Sequence, residues 1–192
     1  NPGAISCFTG PCPNNGDYRN ESGNCAPCPP GNYCPDKQSI IPCPPGHINP
    51  NSGSFSDVDC QECNQEGDSP NQEPGQYCPG GTGEAVDCPA GSYCLGGITQ
   101  PVGCQAGNYC PPRSIDETIC PEGNYCSTNS TTPIPCEAGT YCPEGSGMAE
   151  SCEPGNYCPA ETGSQLECPV GKYNENSGST SVNDCMNCPA GT

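Results

Sequence analysis

The chain has 192 residues, including 22 Cys, 26 Gly and 26 Pro, no Trp, and a formal net charge of -18 from 22 acidic and 4 basic side chains. Leu, Ile, Val and Phe together number only 17; burying each returns roughly 1.5–3 kcal/mol, against about 1–2 kcal/mol of backbone entropy for every residue ordered, so an ordinary apolar core is excluded. Four cations cannot form the basic footprint that phosphate contacts need, which excludes nucleic acid as a partner.

Cysteine substitutes for the missing core, because crosslinks shrink the unfolded ensemble wherever disulfides persist. The expected setting is therefore oxidising, and the protein is expected to be extracellular, secreted or on a cell surface. No apolar run approaches the roughly 18 residues of a membrane span, and no basic segment followed by an apolar stretch opens the chain. The chain is expected to be a piece of something longer, with any signal peptide or anchor outside it.

In chain order, residues 1–11 read as the end of an upstream unit and contain Cys7. Residues 12–27 are a short variant of a long unit, 28–42 a short unit (CPPGNYC), and 43–62 a long unit (CPPGHINPNSGSFSDVDCQEC, running into the next Cys). Residues 63–87 form an expanded unit with an acidic insertion before PGQYC. Residues 88–167 hold five units that begin at Cys88, Cys104, Cys120, Cys136 and Cys152, a 16-residue period. A second long unit, CPVGKYNENSGSTSVNDCMNC, covers 168–187, and 188–192 starts a downstream unit. Self-similarity at a fixed period is the mark of a repeat array.

Within the units a Gly precedes the tyrosine slot by two residues, at Tyr33, Tyr77, Tyr93, Tyr109, Tyr125, Tyr141, Tyr157 and Tyr173. Such a Gly suits a turn that needs positive φ or a close backbone approach. Aliphatic residues sit two before the next unit's first Cys, at Ile41, Val86, Val102, Ile134 and Leu166. Tyrosine, disulfide and aliphatic are expected to form one miniature core per repeat. The intervening loops, rich in Pro, Ser, Thr and Gly, show neither helical nor sustained strand periodicity. The predicted fold is small and disulfide-rich: an elongated tandem-repeat rod of short β-hairpins and turns, with little helix and no large hydrophobic core, in which each unit packs on its neighbours.

Two cysteine registers satisfy the repeats. The first pairs each opening Cys with the next Cys of its own unit: Cys12–Cys25, Cys28–Cys34, Cys43–Cys60, Cys63–Cys78, Cys88–Cys94, Cys104–Cys110, Cys120–Cys126, Cys136–Cys142, Cys152–Cys158 and Cys168–Cys185. Cys7 and Cys188 are then left to pair outside the chain. The second register shifts every pair by one and closes all 22, but it forces Cys25–Cys28, Cys60–Cys63 and Cys185–Cys188 into tight CxxC rings, which are more often strained and reducible. The first is preferred and the second stays open.

The strings CPVGKYNENSGSTSVNDCMNCPAGT and CPPGHINPNSGSFSDVDCQEC resemble the ephrin-receptor-like cysteine-rich repeat and, more distantly, the first-disulfide module of tumour-necrosis-factor-receptor repeats. That resemblance implies pairing of the long unit's first Cys with the Cys 17 residues on, as in Cys43–Cys60 and Cys168–Cys185. Repeats of this kind occur in animal receptor ectodomains and in surface and flagellar-hair (mastigoneme-like) proteins of protists and algae. The 16-residue units depart from the pattern by placing a Cys directly after the tyrosine slot.

Catalytic chemistry has little to work with, since the one histidine, His47, sits in a slot that Lys172 fills in the other long unit. No catalytic residue, cofactor or metal site is expected. The CxxC pairs are too far apart in sequence for a four-ligand zinc site, and Asp57/Asp59 and Glu66/Asp68 are only short acidic pairs. Asn20-Glu21-Ser22 and Asn129-Ser130-Thr131 are sequons in predicted loops, so N-glycans are expected at Asn20 and Asn129, with O-glycans on the Ser/Thr-rich loops as a further expectation. The expected function is that of a non-catalytic extracellular structural protein. Its repeat rod would self-associate, or join other extracellular structural proteins, to build a filament, hair or surface coat. The alternative is a ligand-binding or spacer ectodomain of a cell-surface receptor.

Overall fold

The computed structural model describes residues 10–63 and 74–189. Among these residues the regular structure consists of ten two-stranded sheets and two three-residue 3-10 turns, Asp57–Asp59 and Val182–Asp184. The chain falls into two compact units, Asn1–Val86 with Gly96–Gln100, and Asp87–Leu95 with Pro101–Thr192. This is the small disulfide-rich, tandem-hairpin class that the composition requires.

Each 16-residue unit is built from two turns. In the first, the amide of Asn124 donates to the Pro121 carbonyl at 3.2 Å, and Gly123 at φ 78° occupies the third position, as a type II turn demands. Equivalent bonds run from Asn108 to Gln105, Thr140 to Glu137 and Asn156 to Glu153. This turn launches the strand that carries the tyrosine. The strand returns after a loop and pairs as Tyr93 with Val102, Tyr125 with Ile134 and Tyr157 with Leu166.

The loop itself contains a second turn, missed at the sequence level. Ser114, Ser130 and Ser146 donate their amides to Pro111, Ser127 and Pro143, and the preceding residues Arg113, Asn129 and Gly145 all have positive φ. The hydroxyls of Ser114 and Ser146 also donate to Pro111 and Pro143, each at 2.7 Å, which is the local bonding that favours serine in turns.

Backbone hydrogen bonds then join the units. The second-turn amides of Arg113, Asn129, Gly145 and Glu161 donate to the carbonyls of Cys88, Cys104, Cys120 and Cys136, each 25 residues earlier, at 2.8–2.9 Å. First-turn amides of Gly91, Gly107, Gly123 and Gly139 donate at 2.8 Å to Cys110, Cys126, Cys142 and Cys158 in the following unit. The packing also reaches beyond the nearest neighbour. A Cβ at Gly123 would lie 2.3 Å from the carbonyl oxygen of Glu161, and one at Gly107 would lie 2.4 Å from that of Gly145, both two units on. Only a residue without a side chain admits such an approach.

The core consists almost wholly of disulfides. Eighteen hydrophobic residues are buried among those described; seventeen are cysteines and the other is Ile48. Ile48 occupies the tyrosine slot of the first long unit and packs against Cys63, Cys78 and Ala85. The expected miniature core of tyrosine, disulfide and aliphatic is corrected here. Tyrosines are half-buried, and Val86, Val102, Ile134 and Leu166 are 36–43% exposed. A two-residue hairpin offers one cross-strand pair and nothing to cover its outer face, so the pairs stay at the surface.

Candidate interaction surface and modification sites

Among the described residues ten disulfides are present: Cys12–Cys25, Cys28–Cys34, Cys43–Cys60, Cys63–Cys78, Cys88–Cys94, Cys104–Cys110, Cys120–Cys126, Cys136–Cys142, Cys152–Cys158 and Cys168–Cys185. These are the pairs of the first register. The CxxC cysteines Cys25, Cys28, Cys60, Cys63 and Cys185 are thereby bonded elsewhere and hold no free thiolate for a metal. Cys188 is exposed and unpaired, and its amide donates to the Gly171 carbonyl at 3.0 Å, the position that opening cysteines take in other units. Cys7, Glu66 and Asp68 lie outside the described residues.

The long units replace the cysteine after the tyrosine slot with Asn49 and Asn174, which are 0% and 4% exposed. Sequence reading noted the missing cysteine but not its replacement. Asn49 Nδ2 donates to the Asn32 carbonyl at 2.9 Å, and Asn174 Nδ2 to the Asn156 carbonyl at 3.1 Å and to Ser179 Oγ. Their side-chain oxygens accept from the amides of Asn51 and Asn176. The backbone carbonyl of Asn174 accepts from Gly155 at 2.7 Å, as Cys158 accepts from Gly139 at 2.8 Å. An amide that fills the place of a sulfur and satisfies its donors and acceptors keeps the chain path intact.

The acidic pair of the first long unit is structural. Asp59 Oδ2 accepts from the amides of Phe55 and Ser56, and Ser56 in turn caps Val58, forming a capping box around the 3-10 turn. Asp184 and Ser181 do the same in the second long unit, where the Ser181 and Thr180 amides hold the Asp184 carboxyl below its ordinary range. His47 lies at the start of a strand with Nε2 4.0 Å from Glu62 Oε1, a half-exposed pair of little energetic weight.

Two surface features recur from unit to unit. One is the row of tyrosines with their exposed cross-strand partners. Tyr141 differs from the others by donating to Glu150 Oε2 at 2.7 Å, a bond that raises the pKa of its phenol. The other is the second-turn slot, which holds every non-glycine residue of positive φ among those described: Lys37, Arg113, Asn129 and Glu161. At Arg113, Asn129 and Gly145, in three consecutive units, this slot faces the residue just before the opening Cys of the preceding unit. Arg113 Nε lies 3.6 Å from Asp87 Oδ1, and the Ile119 side chain lies 3.6 Å from where a Cβ on Gly145 would sit. Gly103 lies beneath Asn129, where a Cβ would meet Asn129 Oδ1 at 2.4 Å. Large faces small and positive faces negative at these three junctions.

The two sequons fall in different settings. Asn20 is half-buried in the turn of the Asp17–Arg19/Cys25–Pro27 hairpin, and its Oδ1 accepts from the amides of Ser22 and Asn24 at 3.1 and 3.0 Å. Asn129 is exposed in a second-turn slot.

No protein-family model matches the chain, and no curated protein matches it. Among the described residues no helix is long and apolar enough to cross a membrane. Repeated disulfide-stapled hairpins fit an extracellular structural or ectodomain role, and they point to a structural rather than a catalytic protein.

Proposed function

We propose that the chain is a non-catalytic extracellular structural protein whose repeats build a filament, hair or cell-surface coat. The observation that carries this reading is the cross-unit ladder, in which backbone bonds spanning 25 residues recur from Cys88–Arg113 through Cys136–Glu161. The 16-residue units thus repeat the same tyrosine-bearing hairpin at a fixed interval. Equivalent surfaces at fixed spacing can make repeated heterologous contacts, the geometry that generates fibres. The likeness of the long units to ephrin-receptor-like repeats of surface and flagellar-hair proteins supports the same reading.

The test is to purify the oxidised protein from its native source without reduction, follow its sedimentation across a concentration series, and image it by cryo-electron microscopy. Linear assemblies with a repeating subunit are expected. A disulfide-intact species that stays monomeric at high concentration, or one found bound at one end to a globular partner, would overturn the reading in favour of a receptor ectodomain.

A further inference from the structure

We propose that Asn129 carries an N-linked glycan, held in the second-turn slot as a projection from the repeat face. Three observations converge on this residue. First, its backbone is fixed in place: its amide donates to the Cys104 carbonyl at 2.9 Å, and its carbonyl oxygen lies 2.5 Å from where a Cβ on Gly91 would sit. At φ 61° the main chain is fixed in a left-handed turn that Asn tolerates better than other side-chain-bearing residues. The side chain is therefore aimed by the fold and is not needed to close it.

Second, the opposing position has no side chain, and the Asn129 carboxamide lies in the space this leaves. Arg113 in the preceding slot is engaged with Asp87, and Gly145 in the following slot is covered by Ile119. Opposite Asn129 stands Gly103, a glycine in a position that is Asp87, Ile119, Pro135, Ser151 and Glu167 at the neighbouring junctions. Any side chain at 103 would collide with the Asn129 carboxamide. Among the described residues Asn129 Nδ2 donates no hydrogen bond, unlike the Nδ2 groups of Asn49 and Asn174, so the reacting atom is unengaged.

Third, the sequon is completed on the surface. Ser130 is 8% exposed, and its amide and carbonyl bond to Ser127 and Cys110, so the middle residue anchors the motif. Thr131, whose hydroxyl completes Asn-x-Thr, is exposed. Asn20, with its carboxamide oxygen doubly bonded and its residue half-buried, lacks this combination.

The chemistry is transfer of an oligosaccharide from a lipid-linked diphosphate donor. A bond forms between Asn129 Nδ2 and the anomeric carbon of the first sugar, the bond from that carbon to the diphosphate oxygen breaks, and the nitrogen gives up one proton as the lipid diphosphate departs. Donor and transferase belong to the secretory compartment in which the ten disulfides form. The glycan does not depend on whether the chain builds a filament.

The experiment is site mapping of the oxidised chain secreted from cultured eukaryotic cells. Peptide-N-glycosidase treatment is expected to convert Asn129 to Asp in essentially all molecules. Thr131→Ala, which leaves the left-handed Asn129 turn untouched, is expected to abolish that conversion while the protein is still secreted with its disulfides closed. Unmodified Asn129 in the secreted wild-type protein would overturn the proposal, as would a Thr131→Ala protein that keeps the modification.

Discussion

The 16-residue units and the second long unit follow the same backbone path with different chemistry. In the short units a disulfide six residues wide, such as Cys120–Cys126, closes beneath the tyrosine. In the long unit the bridge spans 17 residues, from Cys168 to Cys185, and a buried asparagine with a capped 3-10 turn occupies the space the sulfur left. Yet Gly155 still donates to residue 174, Cys158 still donates to Ser179, and Gly178 still donates to Cys152. What recurs is the pattern of backbone donors and acceptors; sulfur is one of two ways to hold it. A covalent crosslink acts mainly on the unfolded ensemble, whereas a buried carboxamide acts through satisfied hydrogen bonds in the folded one.

Reduction of the disulfides tests that comparison most severely. With seventeen cysteines making up nearly all of the buried hydrophobic residues, complete reduction is expected to abolish the near-ultraviolet circular dichroism and the amide protection of both unit types. Closing single pairs off with Cys→Ser substitutions sharpens it. Loss of Cys168–Cys185 is expected to cost about 3 kcal/mol and loss of Cys120–Cys126 about 2 kcal/mol, following loop length, with hydrogen exchange of the flanking hairpin amides as the readout.

Glycine replacement separates interior from less covered turns. Gly123→Ala places a Cβ 2.3 Å from the Glu161 oxygen, whereas Gly155, at φ 87° in the same slot, has nothing within 4 Å. The first substitution is expected to cost on the order of 3 kcal/mol and to deprotect the Glu161 amide. The second is expected to cost about 1 kcal/mol, from left-handed strain alone. Equal losses would show that φ, not the approach of the second-next unit, is what demands glycine.

Asn174→Ala removes the donors to Asn156 and Ser179 and the acceptor for Asn176. A loss of about 2 kcal/mol is expected, confined to the long unit, and Asn49→Ala should behave alike in the first long unit. Unchanged exchange at Gly155, whose amide bonds the Asn174 backbone, would mean that the carboxamide is dispensable.

Acid probes the turns. The amide of Ser39, its hydroxyl and the amide of Gln38 hold the Asp36 carboxyl down to about 2 from an ordinary 3.8. A depressed folded value means that the stabilisation is present above the unfolded value and is lost as pH falls through about 2. Asp184 is lowered in the same direction by the Ser181 and Thr180 amides. Side-chain NMR titration should show both carboxyls ionised below the usual range, and Asp36→Asn and Asp184→Asn should remove the acid dependence of their local turns.

The smallest effect is expected at the Asp87–Arg113 junction. At 3.6 Å, with side chains 59% and 41% exposed, a double-mutant cycle should return less than about 1 kcal/mol and fall further with salt.

Much of this architecture was legible in the residues. The period, the hairpin content, the positive-φ glycine before each tyrosine and the six-residue offset between paired cysteines are local facts, written in short spacings that chain geometry must obey. The second turn was harder to read, because Lys37, Arg113, Asn129 and Glu161 carry no glycine signal. Their left-handed turn emerges only in the fold, where the amides of Arg113, Asn129 and Glu161 are tied to carbonyls 25 residues earlier. The surface position of Val102, Ile134 and Leu166 was likewise hidden, since an aliphatic beside a disulfide reads as core until the hairpin proves too short to be covered.

By itself, then, the sequence determined a disulfide-dependent tandem array, because composition leaves no other source of stability and the spacings admit few rings. Only the tertiary structure decided that the glycines of one unit lie under the loop of the second-next, that the asparagines of the long units are buried and bonded in the place of a cysteine, and that Asn129 lies over Gly103. Those are contacts between residues 17 to 38 positions apart. Their geometry depends on how every intervening turn accumulates, and no local pattern records it.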